Sequence, residues 1–273
     1  MTHYFEKLPD RGIMRISGED AEHFLDNLVT CKITGLNLHE ARFGALLTPQ
    51  GKIMFDFFLI KLTDGFLVDT QAELSETFYK RLLFYRLRAK VEIDILTDMQ
   101  VVSFQGQSPE GTEFSIQDPR HVNLNQRAYG KFEQVEDGSQ YHNSRIQCCI
   151  PEGGYDFEYG DAYPHEVLMD QFEGVDFKKG CYVGQEVVSR MQHRGTAKKR
   201  VIKVSAETDL PDTGTAVTAD GKPAGVTGTT NGTNGLAMLR LDRAEKAEKL
   251  MAGDIQIAAI IPDWVSFSWP EAR

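Results

Sequence analysis

The 273-residue chain has only four cysteines, Cys31, Cys148, Cys149 and Cys181. None falls in a C-x-x-C or mixed Cys/His spacing, so no zinc site or disulfide framework is written in the sequence. The neighbours Cys148 and Cys149 are a poor disulfide pair on geometric grounds, and a reducing compartment fits this cysteine usage. No apolar run approaches the roughly 20 residues of a membrane-spanning helix. Residues 1–19 lack the apolar core of a secretory signal and, with acids and little Ser or Arg, do not read as a transit peptide. Basic charge is scarce as well: 30 Lys and Arg face 40 Asp and Glu, for a net charge of −10. That balance argues against a general nucleic-acid-binding protein. No G-x-x-x-x-G-K-[ST] phosphate loop, internal repeat or low-complexity stretch is present. The expectation is a cytoplasmic protein with no membrane partner and no stable nucleic-acid partner.

What is present is an ordinary globular composition, 41% apolar and 26% charged, on enough chain for one to three domains. Residues 5–16 read as a strand stopped by Ser17-Gly18. Ser17 to Asp20 resembles a capping box, and Ala21, Phe24, Leu25 and Leu28 repeat at helical spacing to about Thr30. Residues 41–47 and 53–62 flank the turn Thr48-Pro49-Gln50-Gly51 and predict a hairpin. Residues 65–70 add a strand. Residues 73–90 place Leu74, Phe78, Leu82 and Tyr85 on one helical face, with the aromatics read as core. Strands at 91–95 and 101–104 complete an α+β lobe. Residues 105–137 read as loop-rich, 144–150 as a strand, 152–160 as an acidic surface loop, and 161–169 as holding one helical turn. From 201 on, short strands punctuated by Asp220-Gly221, Asn231-Gly232 and Asn234-Gly235 predict a small β-barrel.

The chemistry concentrates in Lys178-Lys179-Gly180-Cys181-Tyr182-Val183-Gly184-Gln185-Glu186. The thiolate is the reactive and metal-binding form of cysteine, and nearby lysines favour it. Lys179 is therefore the candidate that tunes Cys181. Gly180 and Gly184 permit a sharp bend and a close approach. Gln185 and Glu186 are candidates to fix the loop by hydrogen bonds, at the start of a short helix over 185–192 whose N-terminal dipole favours negative charge near the loop. The competing reading is a glycine-rich turn around a small buried cysteine. Seven cations between Lys178 and Arg200 face only Glu186. They read either as a polyanion site, for a folate polyglutamate tail, a phosphate or RNA, or as a solvated face. With Tyr182 the sole aromatic there, stacking on single-stranded nucleic acid is unsupported.

The string KGCYVGQE resembles the signature of the YgfZ family, folate-binding proteins related to the T-protein (aminomethyltransferase) of glycine cleavage. Residues 45–53, Arg145, Ile150-Pro151-Glu152-Gly153 and His193-Arg194-Gly195-Thr196 resemble further family segments, so the likeness spans essentially the whole chain. It points to the branch containing the mitochondrial iron–sulfur assembly factor and its bacterial relatives, and with the latter to a bacterial cytoplasmic location. The resemblance implies an α+β, three-lobed T-protein-like architecture around a central channel, with a small C-terminal β-barrel. Its lobes would be 1–98, 99–200 (ending in the signature loop) and 201–273. It implies a tetrahydrofolate site drawing on Gln147, Gly180, Tyr182, Gly184, Gln185, Glu186 and Arg194.

The sequence also departs from the T-proteins. Gln147 stands where they carry a pterin-binding glutamate, and an amide offers one acceptor and one donor where a carboxylate offers two acceptors. Of an acidic pair after the hairpin glycine only Asp56 remains, a weak catalytic candidate read as a polar residue on an exposed strand face. Cys181 is an addition. Together these imply a factor supporting assembly or repair of iron–sulfur clusters in client enzymes, including tRNA-modifying ones. Cys181 would be the functional thiol and a transient iron ligand. One thiolate does not hold a cluster that normally takes four protein ligands, so the cluster would be shared with a client protein, a carrier protein or glutathione. His165 and His193 read as extra ligands or as ordinary histidines. Two alternatives stay open, a tetrahydrofolate-dependent aminomethyl or methyl transferase and an RNA-binding module, and with them whether the protein is an enzyme.

Overall fold

The computed structural model describes residues 4–133, 135, 138–195 and 197–270. The chain forms two compact units, Met1–Tyr141 with Phe172–Gln185, and His142–Gln171 with Glu186–Arg273. These cut the chain differently from the expected segments 1–98, 99–200 and 201–273, because residues 172–185 return to the first unit.

In the first unit, β1 (Tyr4–Lys7), β2 (Arg11–Ser17), α1 (Ala21–Asp26), β3 (Ala41–Leu47), β4 (Ile53–Leu62), β5 (Gly65–Gln71), α2 (Ser75–Arg86), β6 (Glu92–Ile95), β7 (Gln100–Gln105), β8 (Thr112–Gln117) and β9 (Gln126–Gly130) follow in order. They make a five-stranded sheet, β3-β4-β5-β2-β6, and a four-stranded sheet, β1-β7-β9-β8. Side chains alternate across a strand, so β4 points Phe55, Phe57 and Leu59 to one face. There they pack with Phe24 and Leu25 of α1 and Phe78 and Leu82 of α2. The opposite face of β4 carries Asp56, Phe58 and Ile60, also buried. Burial on both faces explains the nearly continuous apolar run of this strand.

That second face meets the four-stranded sheet through charge. Asp69 of β5 accepts from Arg11 Nε at 2.6 Å, Arg127 Nη1 at 3.1 Å and the Tyr129 hydroxyl at 2.9 Å. The Arg127 guanidinium lies 4.0 Å over the Phe58 ring. Asp118 pairs with Arg120 at 2.8 Å and with Arg127 at 3.4 Å. Burial alone would raise the Asp118 carboxyl, but the charge and hydrogen bonds of Arg120, with the charge of Arg127, hold it below its usual range. Two elements here correct the expected loop over 105–137. Strands β8 and β9 lie within it, hidden because their buried positions include Arg127 rather than an apolar residue. The expected single strand over 5–16 is likewise two, β1 and β2, in different sheets.

The second unit contains a closed six-stranded barrel, β10-β13-β12-β11-β14-β15. Its elements are β10 (Lys199–Ser205), β11 (Ala216–Ala219), β12 (Lys222–Asn231), β13 (Asn234–Arg240), α5 (Leu241–Ala244), β14 (Leu250–Ala252) and β15 (Ile255–Ile260). Ahead of it come α3 (Gln140–Cys148) and α4 (Gln185–Arg194), each spanning a border between the units. Asp220 and Gly221 both take positive φ, 49° and 77°, as the predicted two-residue hairpin turn requires. Ile202, Val204, Val217, Leu239 and Ile257 fill the barrel.

The expected strand over 144–150 is corrected to α3. Ile146, Cys148 and Ile150 do alternate, but Arg145 and Cys149 are buried as well, so burial does not follow the period of a strand. Cys149 ends the helix with φ 56°, and the Ile150 amide bonds back to the Arg145 carbonyl at 2.9 Å. Arg145 is fully buried. It donates to Asp156 at 2.7 Å, to the Ile150 carbonyl at 2.9 Å and to Thr229 at 3.0 Å, and pairs with Glu152 at 2.9 Å. The acids read as a surface loop are therefore in part interior, with Glu152 and Asp156 both buried.

Candidate functional site

The signature loop is built onto the segment that follows α1. The Asp176 amide donates to the Thr30 carbonyl at 2.9 Å, and the Thr30 hydroxyl donates to the Gly174 carbonyl at 2.6 Å. The Asp176 carboxylate accepts from the amides of Lys178 at 2.7 Å and Lys179 at 3.1 Å, an Asx-type turn that starts the loop. The Lys179 ammonium then reaches inward, to Asp26 at 3.0 Å and the carbonyls of Val29 at 3.0 Å and Cys31 at 2.8 Å. Three acceptors match its three donors, and its side chain is 3% exposed. This is the residue expected to tune Cys181. This ammonium is committed to an anchor at the end of α1.

A second anchor follows the thiol. Tyr182 is buried, with the Lys179 ammonium 5.9 Å from its ring centroid. Burial, with the nearby Asp176 charge, pushes its hydroxyl above the usual tyrosine range. No hydrogen-bond partner for that hydroxyl is found among the described residues. Val183 packs on the core between the five-stranded sheet and its helices. Gly184 has φ +81°, and a Cβ there would lie 2.6 Å from the Thr48 carbonyl oxygen and 3.0 Å from the Gly51 Cα. The predicted hairpin turn is thus the surface on which the loop closes. The Gln185 amide donates to the Tyr182 carbonyl at 3.3 Å, and its side chain to the Gly180 carbonyl at 3.3 Å.

Between the anchors, Gly180 and Cys181 face outward. Nothing lies within 4 Å of a Cβ built on Gly180. Cys181 is exposed, whereas Cys31, Cys148 and Cys149 are buried. Burial pushes the Cys31 thiol up to about 12, against the pull of the Lys179 charge, and it raises Cys149 too. One thiol is therefore available for chemistry, and the buried-cysteine reading of the signature loop is excluded.

The remaining candidates separate. Gly180, Cys181, Tyr182, Gly184 and Gln185 belong to one loop of the first unit. Gln147, Glu186 and Arg194 belong to the second unit. Glu186, in the first turn of α4, has an exposed side chain paired to Arg190 at 2.6 Å, four residues on. Arg194 is exposed in the last turn of α4. Gln147 is exposed on α3 rather than in a strand, and its amide oxygen accepts from Lys203 at 2.7 Å. As placed, it does not offer a pterin edge the acceptor pair of a carboxylate. Asp56 is not on an exposed strand face but buried, at 2% exposure.

His165 is buried beside Gln192, Nε2 to Oε1 3.0 Å, and burial lowers its pKa. His193 is exposed on α4, and Thr196 lies outside the described residues. Among the described residues no group of three His, Cys, Asp or Glu side chains is placed to hold a metal ion. Sequence reasoning missed Asp26, Thr30 and Asp176, the residues that hold the loop. Only the Asp176–Lys178 spacing carried a signal, that of an Asx turn.

Residues 198–267 match the family described as CAF17, C-terminal beta-barrel domain, the segment that forms the barrel. The mitochondrial iron–sulfur cluster assembly factor IBA57 of Mus musculus is 31% identical, over 97% of this chain and 85% of its own length. The Homo sapiens protein of the same name is 28% identical with the same coverage. The glycine cleavage system aminomethyltransferase T of Bartonella henselae superposes with a TM-score of 0.77 over 98% of this chain and 88% of that one, at 12% identity. The expected α+β fold of T-protein type with a C-terminal barrel is thereby shown. The expectation of a bacterial cytoplasmic location is corrected by the named relatives, which are mitochondrial proteins of eukaryotes. At this identity and coverage, the chain belongs to the family of the IBA57 iron–sulfur cluster assembly factors.

Proposed function

We propose that this protein supports the assembly or repair of iron–sulfur clusters in client proteins and that Cys181 is the atom that meets the cluster. The observation that carries the reading is the exposure of Cys181 between two anchored segments. A thiol held this way loses little further freedom when it binds. Its thiolate supplies one position on iron, with loss of the thiol proton. The other ligands come from the client or carrier, since a cluster normally takes four. The cluster is cargo in this scheme, not a resident group.

The KGCYVGQE string supports the finer placement in the YgfZ branch, and with it tRNA-thiolating enzymes as clients. Replacing the chromosomal gene by one encoding Cys181→Ala tests both. Activities of cluster enzymes, and the thiolated nucleoside content of tRNA, are expected to fall severalfold while the purified variant melts as the parent does. Unchanged cluster-enzyme activity would overturn the reading.

A second reading, a tetrahydrofolate-dependent aminomethyl or methyl transferase, is favoured by the fold shared with the aminomethyltransferase and by the buried carboxylate of Asp56. Calorimetry with tetrahydrofolate decides it. Binding that Gln147→Glu strengthens and Asp56→Asn weakens supports the transferase, and no heat at millimolar ligand removes it.

A further inference from the structure

The segment 77–91, TFYKRLLFYRLRAKV, holds five cations and no acid in a chain of net charge −10. Its aromatics read as core in the sequence, and Phe78 and Leu82 are buried. Phe84 and Leu87 are not. They are 70% and 87% exposed, the one near the end of α2 and the other just beyond it.

The charges around this pair are unevenly matched. Lys80 pairs with Glu76 and Lys90 with Glu19, both on the surface. Arg81, Arg86 and Arg88 have no carboxylate partner among the described residues. The Arg81 guanidinium is 6.0 Å from the Phe84 ring centroid, and Arg86 donates to the Val91 carbonyl at 3.4 Å. A shallow hollow beside the tip is lined by Arg86, Arg88 and Lys90, with Glu19 and Glu92 among its other residues.

We infer that this end of α2 is a docking surface for an anionic phospholipid bilayer. Phe84 and Leu87 would enter the interface, and Arg81, Arg86 and Arg88 would meet the headgroup phosphates. A bilayer accepts two protruding apolar side chains without a preformed pocket, and clustered cations on a helix favour anionic lipid. Of the acids at the hollow, Glu19 is paired to Lys90 and Glu92 opposes the contact, while salt screens more distant charge over about 8 Å. No helix among the described residues is long and apolar enough to cross a membrane; the proposed contact is peripheral and departs from the sequence expectation of no membrane partner. It stands apart from Cys181 and does not rest on the cluster role.

The test is co-sedimentation of the full chain with vesicles of phosphatidylcholine containing about 30 mol% phosphatidylserine. Three proteins are compared: the parent, Phe84→Ser/Leu87→Ser, and Arg81→Glu/Arg86→Glu/Arg88→Glu, each checked by thermal melting. The parent is expected to bind these vesicles and not pure phosphatidylcholine, roughly tenfold more weakly in either variant and more weakly in high salt. Should a variant fail to fold, Phe84→Trp replaces it, with a blue-shifted emission expected only on anionic vesicles. Absence of binding at low salt overturns the proposal, as does binding that both variants retain. Binding of the parent to soluble poly-L-glutamate but not to vesicles also overturns it, reassigning the patch to an acidic protein partner.

Discussion

The Gly184 backbone touches the turn of the β3–β4 hairpin so closely that a Cβ on it would sit 2.6 Å from the carbonyl oxygen of Thr48. Two parts of the chain more than 130 residues apart in sequence are thus fitted backbone to backbone, and the thiol three residues before Gly184 takes its place from that fit. Gly184→Ala meets a carbonyl that has little room to move, in a left-handed backbone conformation that side chains resist. Its stability is expected to fall by about 2–3 kcal/mol. Gly180→Ala, with open space at its Cβ, is expected to stay within about 0.5 kcal/mol of the parent. Urea unfolding of the two variants gives the comparison, and equal losses would contradict the asymmetry.

Lys179 and Lys178 are neighbours with opposite fates. Lys179→Ala leaves the Asp26 carboxylate and two carbonyls without their shared donor, and is expected to cost about 2–3 kcal/mol. Lys178→Ala is expected to be nearly neutral because the side chain is exposed. The same variants separate anchoring from tuning. If Lys179 acted on the thiol, Lys179→Ala would shift the pH profile of Cys181 alkylation; an anchor changes its accessibility and leaves the midpoint in place.

Thiol counting tests the exposure of Cys181 directly. An aromatic disulfide reagent is expected to react quickly with one thiol in the native protein and with four in denaturant. Cys181→Ala removes the fast phase alone. A second fast native thiol would show that Cys31, Cys148 or Cys149 is less enclosed than its burial states.

The buried pair of Asp118 and Arg120 sets an acid limit. The Asp118 carboxyl is held below its usual range in the fold, so the unfolded chain binds this proton first as pH falls. Its contribution is fully present above the ordinary carboxylate pKa of about 4 and is lost as pH drops through the lower folded value. Urea midpoints are expected to decline below about pH 4. Asp118→Asn is expected to be destabilised at neutral pH and to show a shallower decline. An unchanged slope in that variant would assign the acid sensitivity to other carboxylates.

The barrel, the hairpin at Thr48–Gly51 and the signature loop around Cys181 were legible in the sequence because each is specified locally. Turn residues with positive φ, alternation of apolar side chains and a short motif of glycines suffice for them. Strands β8 and β9 and helix α3 were not legible. Their interior positions hold Arg127 and Arg145, and an arginine is a core residue only when distant carboxylates such as Asp69 and Asp156 come to meet it. The sequence by itself also singled out Cys181, which the structure leaves exposed. Only the tertiary structure decided that Lys179 points away to grip the end of α1, that Asp56 is buried and that Phe84 and Leu87 are bare. The direction of a long side chain and the cover over an apolar one depend on what the rest of the chain folds against them, and that partner is not local.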